Sequence, residues 1–330
     1  MTHQHSRIFS SWKLRKKTIA IGCQAPPHCF NLNGGCLSQL PDMTIAAVMP
    51  PLLVLDPLLK SWLLEDIGRG DRTTQSLFPQ GTDKIGKAYW IVKEAGTIAG
   101  LPIAARVFQL LDDRVKFTPT VAEGEYCDLG TTIANLEGPL DALLTGERVA
   151  LNLGMRLSGI ATMTQKYVAE IADLPTRLVD TRKTTPGLRS LEKYATQVGG
   201  ATNHRMGLDD AVMIKDNHID LAGGIERAIE QIRAVVPYPL TIEVEAESLE
   251  RVREALDCKA DIIMLDNMSV EMMCEAVAQI RATSDRIKIE ASGNVTLANI
   301  RAVAETGVDY ISSSAPITRS TWLDLSMRSN

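Results

Sequence analysis

Residues Arg177–Gly200 read RLVDTRKTTPGLRSLEKYATQVGG, and their order decides the fold. Three residues of strand composition, Arg177–Val179, run into a polar segment, Asp180–Gly187. A helical pattern then continues until the double glycine Gly199-Gly200 stops it. Arg182 and Lys183 stand side by side among Thr181, Thr184 and Thr185, where a buried strand has just ended. Adjacent cations repel each other, so an anion is the natural occupant of the space beside them.

The same unit recurs toward the C-terminus. Strand AVMIKD precedes helix GGIERAIEQIRAVV, TIEVE precedes SLERVREALD, IIMLD precedes SVEMMCEAVAQIRA, IKIEAS precedes LANIRAVAET, and DYISSS closes the series. Strands separated by helices predict a parallel sheet. Polar residues gather at the strand ends: Asp180-Thr181-Arg182, Lys215-Asp216, Glu245, Asp266-Asn267, Ser292, and Ser312 to Ser314. An open sheet concentrates its chemistry at one switch point. Six decorated ends predict instead an α/β barrel, whose strand ends surround one mouth.

Upstream the pattern is mixed. LLKSWLLEDIG reads as a helix stopped by Gly68, AYWIVKEAGTIAG as a strand with closing glycines, and IAARVFQLLDD as a helix. VKFTPTVAEGEYCDLGTTIANLEG reads as short strands joined by turns. A long helical pattern begins near Gly138 and is expected to break around Ser158-Gly159. GTDKIGKA nearly matches a phosphate loop, but Ala88 replaces the magnesium-binding hydroxyl and the glycines lead into a strand, so that reading is rejected.

The first 50 residues carry five Lys or Arg against one acid and show no period, and read as a disordered or non-native extension, with Met43 or Met49 as alternative starts. Cys23, His28, Cys29 and Cys36 fit no standard zinc spacing. The six cysteines are scattered without a CxxC pair, which points to reduced thiols and a cytoplasmic location. A formal charge of -5 argues against nonspecific nucleic-acid binding, and no apolar run is long enough to span a bilayer.

Each candidate in the mouth has a plainer reading. Arg182 and Lys183 could be solvated charges, Lys215 a structural partner of Asp216, and His204 and Arg205 ordinary loop polarity. Glu243 and Glu245, two apart on a strand, share a face and so call for nearby cations or a metal. Glu245 is nearer the mouth and Glu243 is read as a buried structural partner. Four cations, Arg182, Lys183, Arg205 and Lys215, beside two mouth carboxylates fit a phosphorylated sugar together with a second anionic substrate.

These residues resemble the quinolinate phosphoribosyltransferase family, also called nicotinate-nucleotide pyrophosphorylase (carboxylating). The block DTRKTTPGLRSLEKYATQVGGATNHRMGLDDAVMIKDNH, from Asp180 to His218, follows the family pattern almost throughout. EDIGRGDRTT, VKEAGTIAG, LLTGERVALNLGMRLSGIAT, IEVE, MLDN and EASGN support it, and the resemblance covers about residues 52 to 325. It implies transfer of phosphoribosyl from 5-phosphoribosyl 1-pyrophosphate (PRPP) to quinolinate with decarboxylation, in de novo NAD biosynthesis. It also implies an N-terminal α/β sandwich domain over residues 51–151, rejoined by the C-terminal tail 317–330, and an incomplete, seven-stranded α/β barrel over 152–316.

By motif, the resemblance assigns Arg148 to a neighbouring subunit's site in a homodimer or larger oligomer. Thr181, Arg182, Lys183, His204, Arg205 and Lys215 line the quinolinate and phosphate pocket, and Glu245 and Asp266 face the ribose hydroxyls and Mg2+. Ser292, Gly293, Asn294, Ser313, Ser314 and Ala315 hold the 5′-phosphate. Lys183, Lys215, Glu245 and Asp266 are the catalytic candidates. One departure stands out: the family pattern usually has a glycine near the position of Ser314, and a Cβ there is expected to crowd a backbone phosphate contact. Rival readings are a related enzyme acting on another pyridine carboxylate, a Schiff-base barrel aldolase using Lys215, and a non-catalytic binder of anionic metabolites.

Overall fold

Two sets of apolar side chains segregate along the chain and build two cores. The computed structural model describes residues 47–79, 82 and 84–329. The readings made on the first 46 residues, the cysteine–histidine cluster and the Met43 start among them, lie outside these, as do Gly81 and Asp83 of the rejected phosphate loop. Ala47 and Met49 pack against the first core, so the described framework starts a few residues before Pro51.

The first half comprises α1 (Leu52–Ile67), α2 (Arg72–Leu77), β1 (Ile85–Val92), β2 (Gly96–Thr97), α3 (Leu101–Leu111), β3 (Lys116–Pro119), β4 (Tyr126–Cys127) and β5 (Thr132–Pro139). Gly68 ends α1 at a positive φ of 54°, where a side chain would be strained. Asp71 caps α2 by accepting the Thr74 backbone N–H at 3.0 Å. Trp90 is fully buried and meets Phe117 edge-on, ring centroids 5.4 Å apart.

A 30-residue helix, α4 (Leu140–Ala169), links the halves without the expected break at Ser158-Gly159. That pair is a close-approach site instead. Ser158 Oγ accepts from Ala99 N–H at 2.9 Å and donates to Ala99 O at 3.1 Å. A Cβ on Gly159 would stand 1.9 Å from the Thr321 carbonyl oxygen. Hydroxyl and glycine mimic a helix end in sequence while serving packing in space.

The second half alternates: β6 (Arg177–Val179), α5 (Arg189–Val198), β7 (Val212–Ile214), α6 (Asp216–Ala222), α7 (Ile225–Arg233), β8 (Ile242–Ala246), α8 (Leu249–Asp257), β9 (Ile262–Asp266), α9 (Val270–Thr283), β10 (Lys288–Ser292), α10 (Ile300–Ala304), β11 (Tyr310–Ser312) and α11 (Ala315–Thr318). These strands form a wholly parallel sheet in the order β6-β11-β10-β9-β8-β7. The sheet has six strands where seven were expected; where a seventh would stand there is an isolated parallel bridge, Val179 to Thr202, at the outer edge of β6. Among the described residues no ladder joins it to β7, so the barrel is incomplete. The chain then returns: β12 (Leu325–Ser329) pairs antiparallel with β1 in a sheet ordered β12-β1-β5-β3.

Candidate active site

Side chains on parallel strands project inward at alternate positions, so the C-terminal ends of β6 to β11 surround one space. There a cavity of about 420 Å³ is lined by Thr181, Arg182, Lys183, His204, Arg205, Lys215, Glu245, Asp266, Ser292, Gly293 and Asn294. The structure thus brings together eleven residues singled out from the sequence. It adds Asp180, Asn267 and Ser312, noted in the sequence only as polar strand ends, and Glu290, which was not singled out. Its signal lay in EASGN: Glu290 stands two before Ser292 on β10 and so shares its face. Register puts Glu245, Met264 and Glu290 at one level across β8, β9 and β10.

A buried network under the cavity sets the positions of the cations. Asp180, 2% exposed, takes an ion pair from Lys193 of α5, itself fully buried. The same carboxylate accepts from Thr196 Oγ at 2.9 Å, Asn203 Nδ2 at 2.5 Å and the His204 backbone N–H at 2.9 Å. Burial pushes the Lys193 ammonium down, and the charge of Asp180 opposes that. Arg205 Nη1 donates to Ala211 O at 3.1 Å. Burial, with the charge of Arg182 beside it, pushes Arg205 below its ordinary value. Among the described residues Arg182 Nε is buried with no hydrogen-bond partner, an arrangement suited to an incoming anion.

His204 stands between two buried carboxylates. Nδ1 accepts the Arg205 backbone N–H at 2.7 Å, and Nε2 lies 3.3 Å from Glu243 and 3.4 Å from Glu290. Burial works against charge on the ring. The hydrogen bonds and charges of the two glutamates outweigh it and push His204 up to about 10. Glu243 is in turn pushed up by burial, against the pull of His204. His204, Glu243 and Glu290 also bring three ligand atoms within 4.8 Å of one another. Hydrogen bonding accounts for that geometry, and the mixed nitrogen–oxygen set does not suit magnesium.

Glu245 and Asp266 form a different pair. Glu245 Oε2 lies 2.5 Å from Lys215 Nζ. Burial pushes Glu245 up, Lys215 pulls the other way, and Asp266 adds to the rise. Two close carboxylates in a cavity are an all-oxygen donor set of the kind a hard divalent cation takes. Asn267 Nδ2 donates to Asp266 at 2.6 Å, and Asn294 Nδ2 donates to Asn267 Oδ1 at 3.1 Å. Both asparagines have positive φ, 54° and 51°, and line the cavity. Backbone held in the left-handed region at a cavity wall marks a loop shaped for a ligand.

Four candidates do not line this cavity. Arg148 is exposed on α4, and Ser313 and Ala315 are buried, with Ser313 Oγ accepting the Ala315 N–H at 3.2 Å. Ser314 begins α11 at φ −86°, a conformation open to any residue, so the serine brings no backbone strain there.

Two family models divide the chain between them. The quinolinate phosphoribosyl transferase N-terminal domain matches residues 71–158, and the C-terminal domain of the same family matches residues 160–328. A probable nicotinate-nucleotide pyrophosphorylase (carboxylating) of Synechocystis is 61% identical over 280 residues, covering 85% of this chain and 94% of that one. Its Bacillus subtilis counterpart is 46% identical, over 79% of this chain and 88% of that one. The crystal structure of NadC from Streptococcus pyogenes superposes with a TM-score of 0.80 at 41% identity, covering 85% of this chain and 98% of that one.

Proposed function

The chain belongs to the quinolinate phosphoribosyltransferase family and is a phosphoribosyl-transferring enzyme of NAD biosynthesis; from that premise we propose how its residues divide the work. The reaction joins quinolinate to PRPP, releases pyrophosphate and carbon dioxide, and leaves nicotinate mononucleotide. One observation carries the division of roles: Arg182, Lys183, Arg205 and Lys215 converge with Glu245 and Asp266 on a single cavity.

Quinolinate carries two adjacent carboxylates, and planar guanidinium groups recognise carboxylates with paired hydrogen bonds. Arg182 and Arg205 supply these, with His204 and Lys215 beside them, and Thr181 shapes the wall. Lys183 faces the phosphates. Glu245 and Asp266 receive the ribose hydroxyls, and Ser292, Gly293 and Asn294 present the 5′-phosphate loop, backed by Ser313, Ser314 and Ala315.

The pyridine nitrogen attacks ribose C1 as pyrophosphate departs, through a transition state of oxocarbenium character. Once ribosylated, the cationic ring takes up the electron pair left at C2 when carbon dioxide leaves. A proton then completes nicotinate mononucleotide. No protein nucleophile is required, so orientation and fixed charge supply the acceleration. Glu245 and Asp266 would hold Mg2+, which offsets charge on pyrophosphate when bound. Lys215, paired to Glu245, lacks the apolar surroundings that an imine-forming lysine uses, which disfavours the aldolase reading.

Arg148 points to a shared site. It is exposed on α4 and outside its own chain's cavity, as a residue donated to a neighbour in a homodimer or larger assembly would be. A cytoplasmic setting fits Cys127 and Cys258, which form no disulfide. Among the described residues no helix is long and apolar enough to cross a membrane.

Purified protein given quinolinate, PRPP and magnesium should yield nicotinate mononucleotide and carbon dioxide in equal amounts. Folded protein that forms neither overturns the reading. Mixing inactive Arg148→Ala and Arg182→Ala proteins tests the shared site. Subunit exchange should restore part of the activity, and exchange without rescue refutes it.

A further inference from the structure

The helix after the cationic loop buries two adjacent charged side chains completely, Glu192 and Lys193 of α5. They grip the two feet of the same loop. Lys193 holds Asp180, while Glu192 Oε2 accepts the Thr185 backbone N–H at 2.8 Å and Oε1 accepts the Thr185 hydroxyl at 2.9 Å. Arg182 and Lys183 lie between these anchors, where among the described residues the backbone makes only local bonds, such as Lys183 N–H to Thr181 Oγ at 3.0 Å and Thr184 N–H to Arg182 O at 2.9 Å. The reach of both cations into the cavity is therefore set by where the feet are pinned.

Glu192 is also tied in a second direction. Arg156 of α4 donates to it from Nε at 3.1 Å and Nη2 at 2.7 Å. The same guanidinium donates from Nη2 to Ile317 O at 3.0 Å and from Nη1 to Ser320 Oγ at 2.9 Å. Ile317 belongs to the segment that continues from β11 through Ser313–Ala315, and β11 neighbours β6 in the sheet. One carboxylate–guanidinium pair thus joins the loop carrying Arg182 and Lys183 to the segment behind the 5′-phosphate position. A buried ion pair is a weak source of stability, because apolar side chains of similar volume serve as well or better. Its use lies in the geometry it fixes.

We infer that Glu192, held by Arg156, is a positioning residue that sets the distance between the cations gripping quinolinate and the segment receiving the sugar 5′-phosphate. This rests on the substrate assignment above. Displacing a bound group by about 1 Å can cost on the order of a hundredfold in rate, so a small shift of the loop would register.

The test replaces the pair together, Arg156→Met with Glu192→Met, and separately makes Glu192→Gln and Thr185→Ala. Melting temperature, quinolinate affinity by calorimetry, and kcat and KM for both substrates are measured on each. The double variant should melt near the wild type, since the core is refilled, while quinolinate binding weakens about tenfold or more and both KM values rise. Glu192→Gln, which keeps an acceptor for the Thr185 N–H, should recover part of that loss. A stable double variant that binds quinolinate like the wild type overturns the inference. If the double variant does not fold, unchanged quinolinate affinity in both Glu192→Gln and Thr185→Ala overturns it equally. Wild-type protein that folds and binds but makes no product would sink the catalytic reading alone, because affinity is measured without turnover.

Discussion

Replacing Lys193 by Met removes the cation that pairs with Asp180 while filling most of the same volume. Both groups are buried, Lys193 completely and Asp180 to within 2%. Losing one partner of a buried ion pair costs about 3–5 kcal/mol, because the other charge stays out of water. Three further donors remain on Asp180, from Thr196, Asn203 and the His204 backbone, each worth about 1 kcal/mol net, and they keep the carboxylate hydrogen-bonded. The cost should therefore sit at the low end, about 3 kcal/mol. For a domain of this size that is a fall of roughly 6–10 °C in melting temperature. Scanning calorimetry at neutral pH reads it directly. Adding Asp180→Asn should return part of the loss, since the stranded charge is then removed. A Lys193→Met protein that melts within about 2 °C of the wild type would refute the electrostatic reasoning.

Gly293→Ala forces a side chain onto a φ of 95°, with its Cβ 2.2 Å from Asn267 Oδ1 and 2.8 Å from the Asn267 nitrogen. Its KM for PRPP should rise about tenfold with quinolinate affinity held, and equal losses for both substrates would contradict that assignment. Gly159→Ala drives a Cβ toward the Thr321 carbonyl and should cost about 1–3 kcal/mol by thermal melt, whereas no loss would mean the returning chain moves freely there.

Most of the barrel was legible because each strand end carries its own chemistry and each helix its own period. Arg182, Lys215, Glu245 and Asp266 declare themselves by standing where a buried run stops. What local pattern hides is reciprocity across distance. Glu192 and Lys193 look like surface charges in LRSLEKYATQ, and only their partners Arg156 on α4 and Asp180 beyond the preceding loop reveal them as buried. Ser158-Gly159 misleads for the same reason, as its partners Ala99 and Thr321 lie outside any local window. A glycine is not demanded by the backbone at Ser314, which the sequence could not reveal and the ordinary φ does.

The pairing of β12 with β1 has a consequence for synthesis. Ser329 sits opposite Ala88, so the antiparallel sheet gains its last member only after the whole barrel has been made. At ordinary translation speeds the intervening stretch takes roughly 10–50 s to emerge. Throughout that window β1 presents an uncovered hydrogen-bonding rim, the sort of surface that invites other nascent chains. The closing residues act as a late-arriving seal, and cells depleted of ribosome-bound chaperones should accumulate this polypeptide as aggregates recruited through that rim.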